Sequence, residues 1–176
     1  MTEIPQILKQ KDFCFIEVPT KSKKPVGDEW QKRGKTFDDP KLLKHLETGG
    51  NYGVMGGYGN LAGIDADEYE LQKAIEESLP KTFKVQSGGK SDNEEHPEKV
   101  HYYYILDEPL KKTITLERGP KENVGHIRWT AGQLIGPGSI LENGEPYKIV
   151  QDIPIAKIKK GDLLAAVSPW LKKDKH

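Results

Sequence analysis

Leu61-Ala62-Gly63-Ile64-Asp65-Ala66-Asp67 reads as a strand, small and apolar until it meets two acids. Residues two apart on a strand share a face, so Asp65 and Asp67 point one way while Ile64 and Ala66 point the other. Two carboxylates on one face repel unless a cation lies between them. A hard divalent ion suits such a pair, and Mg²⁺ would also accept phosphate oxygens. A plainer reading competes: the strand ends at Asp67, which caps the following helix.

Upstream, Phe13–Val18 is an apolar strand, followed by a Lys-, Pro- and Gly-rich loop through Lys35. Asp38 or Asp39 caps a helix with Pro40 in its first turn, apolar Leu42, Leu43 and Leu46, and Gly49-Gly50 as its stop. Asn51–Gly56 and Asn60–Ala66 are expected to pair across a Gly-Gly-Tyr-Gly turn. Downstream, a helix runs from about Glu68 to Leu79 and stops at Pro80. Thr82–Gln86 is a strand, Ser87–Lys99 a polar mobile loop, and His101–Leu106 an aromatic strand. Val124–Trp129 and Gln133–Gly136 are expected as neighbouring strands about Ala131-Gly132. Asn143-Gly144 signals a hairpin between Ile140-Leu141 and Tyr147–Val150. A last helical stretch, disturbed by Pro169, covers Asp162 to Leu171. The set predicts an α+β fold, mainly antiparallel sheets with flanking helices, in one domain over residues 1–176 with a Lys-rich end at about 172–176.

With 35% apolar and 31% charged residues, a modest core lies under a heavily charged surface. Lys+Arg and Asp+Glu each number 27, which excludes a uniformly basic nucleic-acid-binding body and leaves any such grip to local clusters. One cluster comprises Lys21, Lys23, Lys24, Lys32, Arg33 and Lys35; Lys157, Lys159 and Lys160, then Lys172, Lys173 and Lys175, form two more. Each is equally readable as a solvated face. Cys14 stands alone in an apolar run, so an intramolecular disulfide and a CxxC zinc site are excluded. No stretch approaches the roughly 20 apolar residues of a membrane span, and the N-terminus does not read as a signal peptide. A cytoplasmic protein without membrane contact is the expectation.

Three look-alike motifs fail. Asp65, Asp67 and Glu76 match positions of a Ca²⁺ loop, but Glu70 stands where Gly is required. Gly89-Lys90-Ser91 ends like a phosphate-binding loop whose first glycine is Lys84, and Gly57-Tyr58-Gly59 lacks the third glycine of a dinucleotide fingerprint. His101 is either a ligand or an ordinary core histidine. The Ser87-Gly88-Gly89 turn either offers N–H groups to a phosphate or is merely a turn.

The order of the segments carries more than any one of them. Lys24-Pro25…Trp30, Asn51-Tyr52-Gly53-Val54, Ile64-Asp65-Ala66-Asp67, Ser87-Gly88-Gly89, His101-Tyr102-Tyr103-Tyr104, Gly136-Pro137-Gly138-Ser139-Ile140, Asn143-Gly144 and Tyr147 follow one another along the chain. From about residue 10 to 151 this succession resembles the primase–polymerase domain family of the archaeo-eukaryotic primase superfamily. The resemblance implies a two-layer core containing a ferredoxin-like unit of the RNA-recognition type. It implies a nucleotidyltransferase that makes primers or extends DNA on a template and primer from NTP or dNTP, with two divalent ions, Mg²⁺ or Mn²⁺. In its terms Asp65 and Asp67 hold the ions and His101 contacts the phosphates of the incoming nucleotide. Ser87, Gly88, Gly89 and Arg128 join it in nucleotide binding, and Lys23, Lys24, Lys32 and Arg33 grip nucleic acid. Relatives often sit beside a helicase domain, a further expected partner.

Two departures matter. Where the family places a third acid, on the strand Val124–Trp129, this chain has His126. The imidazole removes one negative charge and shifts preference from Mg²⁺ towards softer ions such as Mn²⁺. His126 then acts as a catalytic ligand, or a neighbour such as Glu122 replaces it, or activity is reduced or lost. An inserted acidic segment, Lys90–Lys99, also separates the Gly-rich turn from the histidine strand. The rival readings are a non-catalytic nucleotide- or nucleic-acid-binding module on the same fold, favoured by His126, and another metal-dependent enzyme such as a nuclease or glycosyltransferase.

Overall fold

The computed structural model describes residues 1–172, so Lys173 and Lys175 of the Lys-rich end lie outside the described residues. In chain order the elements are β1 (Phe15–Val18), α1 (Pro40–Glu47), β2 (Asn51–Met55), β3 (Leu61–Ala66), α2 (Tyr69–Ser78), β4 (Lys84–Lys90), β5 (Glu98–Leu106), β6 (Ile114–Gly119), β7 (Glu122–Arg128), β8 (Gln133–Ile135), β9 (Lys148–Gln151), β10 (Ala156–Ile158) and α3 (Lys160–Ala166). Helix α1 begins where the Asp39 carboxylate accepts the N–H groups of Lys41 and Leu42 at 2.9 and 3.3 Å, with Pro40 at its first position. Helix α2 is capped at Glu68 with no side-chain bond, so Asp67 is not a helix cap. Buried Gln72 ties α2 to the sheet by donating to the carbonyls of Ala66 and Glu98 at 2.9 and 2.7 Å.

Two sheets form, β1-β2-β8 and β6-β7-β3-β5-β4-β9, with every pairing antiparallel except that of β10 along β5. The central order β7-β3-β5-β4, with α2 linking β3 to β4, is that of a ferredoxin-like unit. The helix usually found before its last strand is missing; α3, arriving later in the chain, packs on the same side as α2. Alternation along β3 separates the two cores. Ala62, Ile64 and Ala66 meet Leu71, Ile75 and Leu163 of the helices, while Leu61 joins the core beneath the three-stranded sheet. Asp65 has the parity of Leu61 and therefore faces the small sheet.

Several expected pairings are corrected. β2 and β3 do not pair: Gly57, Gly59 and Asn60 all take positive φ and carry the chain from the small sheet to the large one. β7 and β8 likewise lie in different sheets, and their link crosses beside the first, where the Gly56 N–H donates to Gly132 O at 3.0 Å. A Cβ on Gly56 would come within 2.4 Å of the Arg128 carbonyl, so the crossing needs glycine. Ser87-Gly88-Gly89 is not a turn; it is a bulge inside β4, three residues opposing Lys99 between the Gln86–Val100 and Lys90–Glu98 pairs. The expected long loop shrinks to Ser91–Pro97, held against α2 by His96 stacked on Tyr69 at 3.7 Å. The turn at Asn143-Gly144 does form, with Leu141 N–H on Glu145 O at 2.8 Å, but β9 beyond it pairs with β4. Strands β6 and β10 were not anticipated. Among the described residues no helix is long and apolar enough to cross a membrane.

Candidate active site

Register brings several of the singled-out residues together, although Gly88, Gly89, Lys32 and Arg33 do not line the resulting cleft. β3 lies between β5 and β7, and Asp65 stands opposite His101 on one side and His126 on the other. All three share the face turned to the small sheet, and Arg128, two residues beyond His126, follows them. Between the sheets opens a cleft of about 690 Å³. Asp65, Asp67, Ser87, His101, His126 and Arg128 line it, with Lys23, Lys24 and Trp30 of the loop before α1 on its rim.

Asp65 is only 7% exposed and both its oxygens are engaged: Oδ1 lies 3.3 Å from His126 Nδ1, and Oδ2 accepts from Arg128 Nε at 2.7 Å. Burial alone would raise its carboxyl, but the His126 bond and the Arg128 charge outweigh it and hold the group below the ordinary carboxylate range. Asp67 is pushed the other way, by burial and then by the charge of Asp65. Burial brings His101 down to about 4, so its ring is neutral at pH 7. Its Nδ1 is buried and meets no partner among the described residues.

Not every expected residue reaches the cleft. Lys32 pairs with Glu29 at 3.1 Å on the surface. Arg33 turns back on its own loop, donating to the carbonyls of Val26 and Asp28. Glu122 pairs with Arg118 at the hairpin end and does not line the cleft, so it does not take the place of a third acid there. Two lining residues were missed. Lys99 precedes His101 by two on the same strand, a period-2 signal that was there to be read; its charge counters the rise of Asp67. Gln133 donates to the Lys23 carbonyl at 3.1 Å and so tethers the loop to β8, a contact 110 residues apart with no local signature.

The remaining quoted motifs build the frame. Asn51 donates to Ser22 O and Ile140 O and accepts from Ile140 N–H, joining the rim loop to the 139–147 turn. Ser139 is fully buried and accepts from Tyr52 N–H, which suits a framework role rather than a nucleophile.

A divalent ion finds a limited donor set. Among the described residues no three His, Cys, Asp or Glu side chains group as a metal cage. The ion pairs of the site fall on Asp65, and Asp67 has none among the described residues. A raised carboxyl beside a second carboxylate is relieved by a cation, and Mg²⁺ is commonly held by one or two carboxylates plus substrate phosphates. The residues fit one such ion at Asp65 and Asp67.

Compared with known families, the chain matches the sequence model of Prim-Pol, described as bifunctional DNA primase/polymerase, N-terminal, over residues 6–160. No curated protein matches it.

Proposed function

Because the chain belongs to the Prim-Pol family of bifunctional DNA primase/polymerase N-terminal domains, we propose that its cleft carries metal-dependent nucleotidyl transfer, making or extending DNA on a template from nucleoside triphosphates. Membership supports primase/polymerase-type transfer in general. The observation that carries the finer reading is the register of β3, which sets Asp65 between His101 and His126 above Arg128 in one cleft.

A divalent ion held by Asp65 and Asp67 would lower the pKa of the attacking 3′-hydroxyl and stabilise charge on the transferred phosphoryl group. The chain's own groups do the positioning. His101, neutral at pH 7, lines the cleft wall with Ser87, where its ring would meet a phosphate oxygen. Arg128 uses its Nε on Asp65 and keeps its other N–H groups for phosphate oxygens, where a fixed guanidinium offsets developing charge. Lys23 and Lys24 on the rim suit the backbone of template or primer, contacts that position without reading sequence.

One observation favours the second reading, a nucleotide- or nucleic-acid-binding module. Both oxygens of Asp65 are taken by protein groups and the third acid is absent. Primer extension on a DNA template with Mg²⁺ or Mn²⁺, set beside an Asp65→Ala/Asp67→Ala double variant, separates them. Extension lost in the variant supports transfer. No extension with either ion, while nucleotide or DNA still binds, leaves the binding module.

A further inference from the structure

We propose that this site takes a single divalent ion and that Arg128 supplies, as a fixed cation, its second positive centre. The inference rests on the nucleotidyl-transfer reading and concerns how that site is charged.

A two-ion clamp holds ions about 3.5–4 Å apart and needs carboxylate oxygens free to reach both. Here the cleft has two carboxylates, and Asp65 already gives an acceptor site of each oxygen to the protein. Asp65 Oδ2 accepts from Arg128 Nε at 2.7 Å, and Oδ1 faces His126 Nδ1 at 3.3 Å. A carboxylate only accepts, so Nδ1 carries the hydrogen of that bond and the imidazole acts on Asp65 as a donor. Asp65 is buried, which makes its pairing with Arg128 tight and the pair close to neutral as a unit. The acidic charge left uncompensated is that of Asp67, and Lys99 already draws on it.

Position matters as much as count. The residue opposite Asp65 on β7 is His126, and no acid of β7 lines the cleft. A second dication would therefore sit near a guanidinium with only the remaining acceptor sites of two carboxylates to share with the first, and repulsion disfavours it. Arg128 also replaces what that ion would do, since it lines the cleft with its Nε fixed on Asp65 and a guanidinium matches phosphate geometry.

Equilibrium dialysis of the chain against Mn²⁺ and an α,β-methylene deoxynucleoside triphosphate, with both retained species measured, tests the count. The parent is expected to retain one Mn²⁺ per nucleotide. His126→Asp, which places a carboxylate opposite Asp65, is expected to raise the ratio to two; Arg128→Gln is expected to raise it above one and serves should the first variant not fold by circular dichroism. Two ions per nucleotide on the parent overturn the proposal and leave nucleotidyl transfer standing. A ratio still at one in the folded His126→Asp/Arg128→Gln chain overturns the assignment to these residues. Nucleotide held equally well in EDTA, with no Mn²⁺ retained, overturns the single ion and metal-dependent transfer together.

Discussion

His101 is a base kept neutral inside the protein: 8% exposed, opposite Asp65, its Nδ1 without a partner. Folded, it titrates near 4 against an ordinary 6.5, because burial penalises the charged ring. The unfolded chain therefore takes the proton first. The contribution is fully favourable above about 6.5 and is lost as pH falls from there to about 4, by on the order of 3 kcal/mol. Asp67, raised in the fold, works in the opposite sense near the acid end of that window, while the lowered Asp65 costs stability only below the ordinary carboxylate range. Urea midpoints at pH 7 and pH 5 in EDTA should thus separate for the parent and come closer together for His101→Asn. Equal separations in both proteins would mean that His101 is not the group. Arg128 offers a second residue-scale prediction. Its loss removes charge-assisted bonds to phosphate, so Arg128→Ala should weaken dNTP binding by roughly 10- to 100-fold in titration calorimetry, an energy of about 1.5–3 kcal/mol.

At the scale of elements, β2 and β8 approach so closely that one hydrogen decides the packing. A Cβ on Gly53 would fall 1.5 Å from Gln133 Oε1 and 2.8 Å from Ile16 Cγ2. Gly53→Ala should cost about 1–3 kcal/mol by thermal or urea unfolding, and the cost should shrink in the Gln133→Ala background, a coupling that two independent sites would not give. Nothing in Asn51-Tyr52-Gly53-Val54 alone reveals this, since the clashing atom belongs to residue 133. The same limit explains which parts of the fold were legible. The cap at Asp39, the stop at Gly49 and the shared face of Asp65 and Asp67 follow from local chemistry and strand period, and the structure has them. Strand partners are set by non-local contacts, so proximity in sequence suggests β2–β3 and β7–β8 pairs although each link crosses between sheets. β6 is a half-exposed edge strand broken by charges, and β10 has three residues, too short for a periodic signal. In the site, the residue types are readable, whereas the engagement of Asp65 by Arg128 depends on register between strands that place residues 63 apart in contact.

The whole molecule carries no net charge, with 27 basic and 27 acidic residues, so long-range attraction cannot bring a nucleic acid to it from every side. Any grip has to come from where cations are left unpaired near the cleft. The structure narrows that set: Lys32 is tied to Glu29 and Arg33 to its own loop, while Lys23 and Lys24 line the cleft beside Gly27 and Trp30. Gln133 holds this loop through the Lys23 carbonyl, and Asn51 holds it through Ser22, so the two lysines are presented from a braced segment rather than a free arm. A grip made by two or three phosphate contacts predicts a shallow dependence of affinity on salt, with a slope near −0.9 per contact on duplex DNA and about −0.7 on single strands. Fluorescence anisotropy with a labelled primer–template, titrated from low to moderate salt, measures that slope directly. Lys23→Ala/Lys24→Ala should flatten it by about one to two and weaken binding alike for different sequences, whereas Lys32→Ala should leave it unchanged. A slope that is steep, or that Lys32→Ala alters as much as the cleft pair does, would place the nucleic acid on another face of the molecule and separate DNA binding from the cleft that holds Asp65.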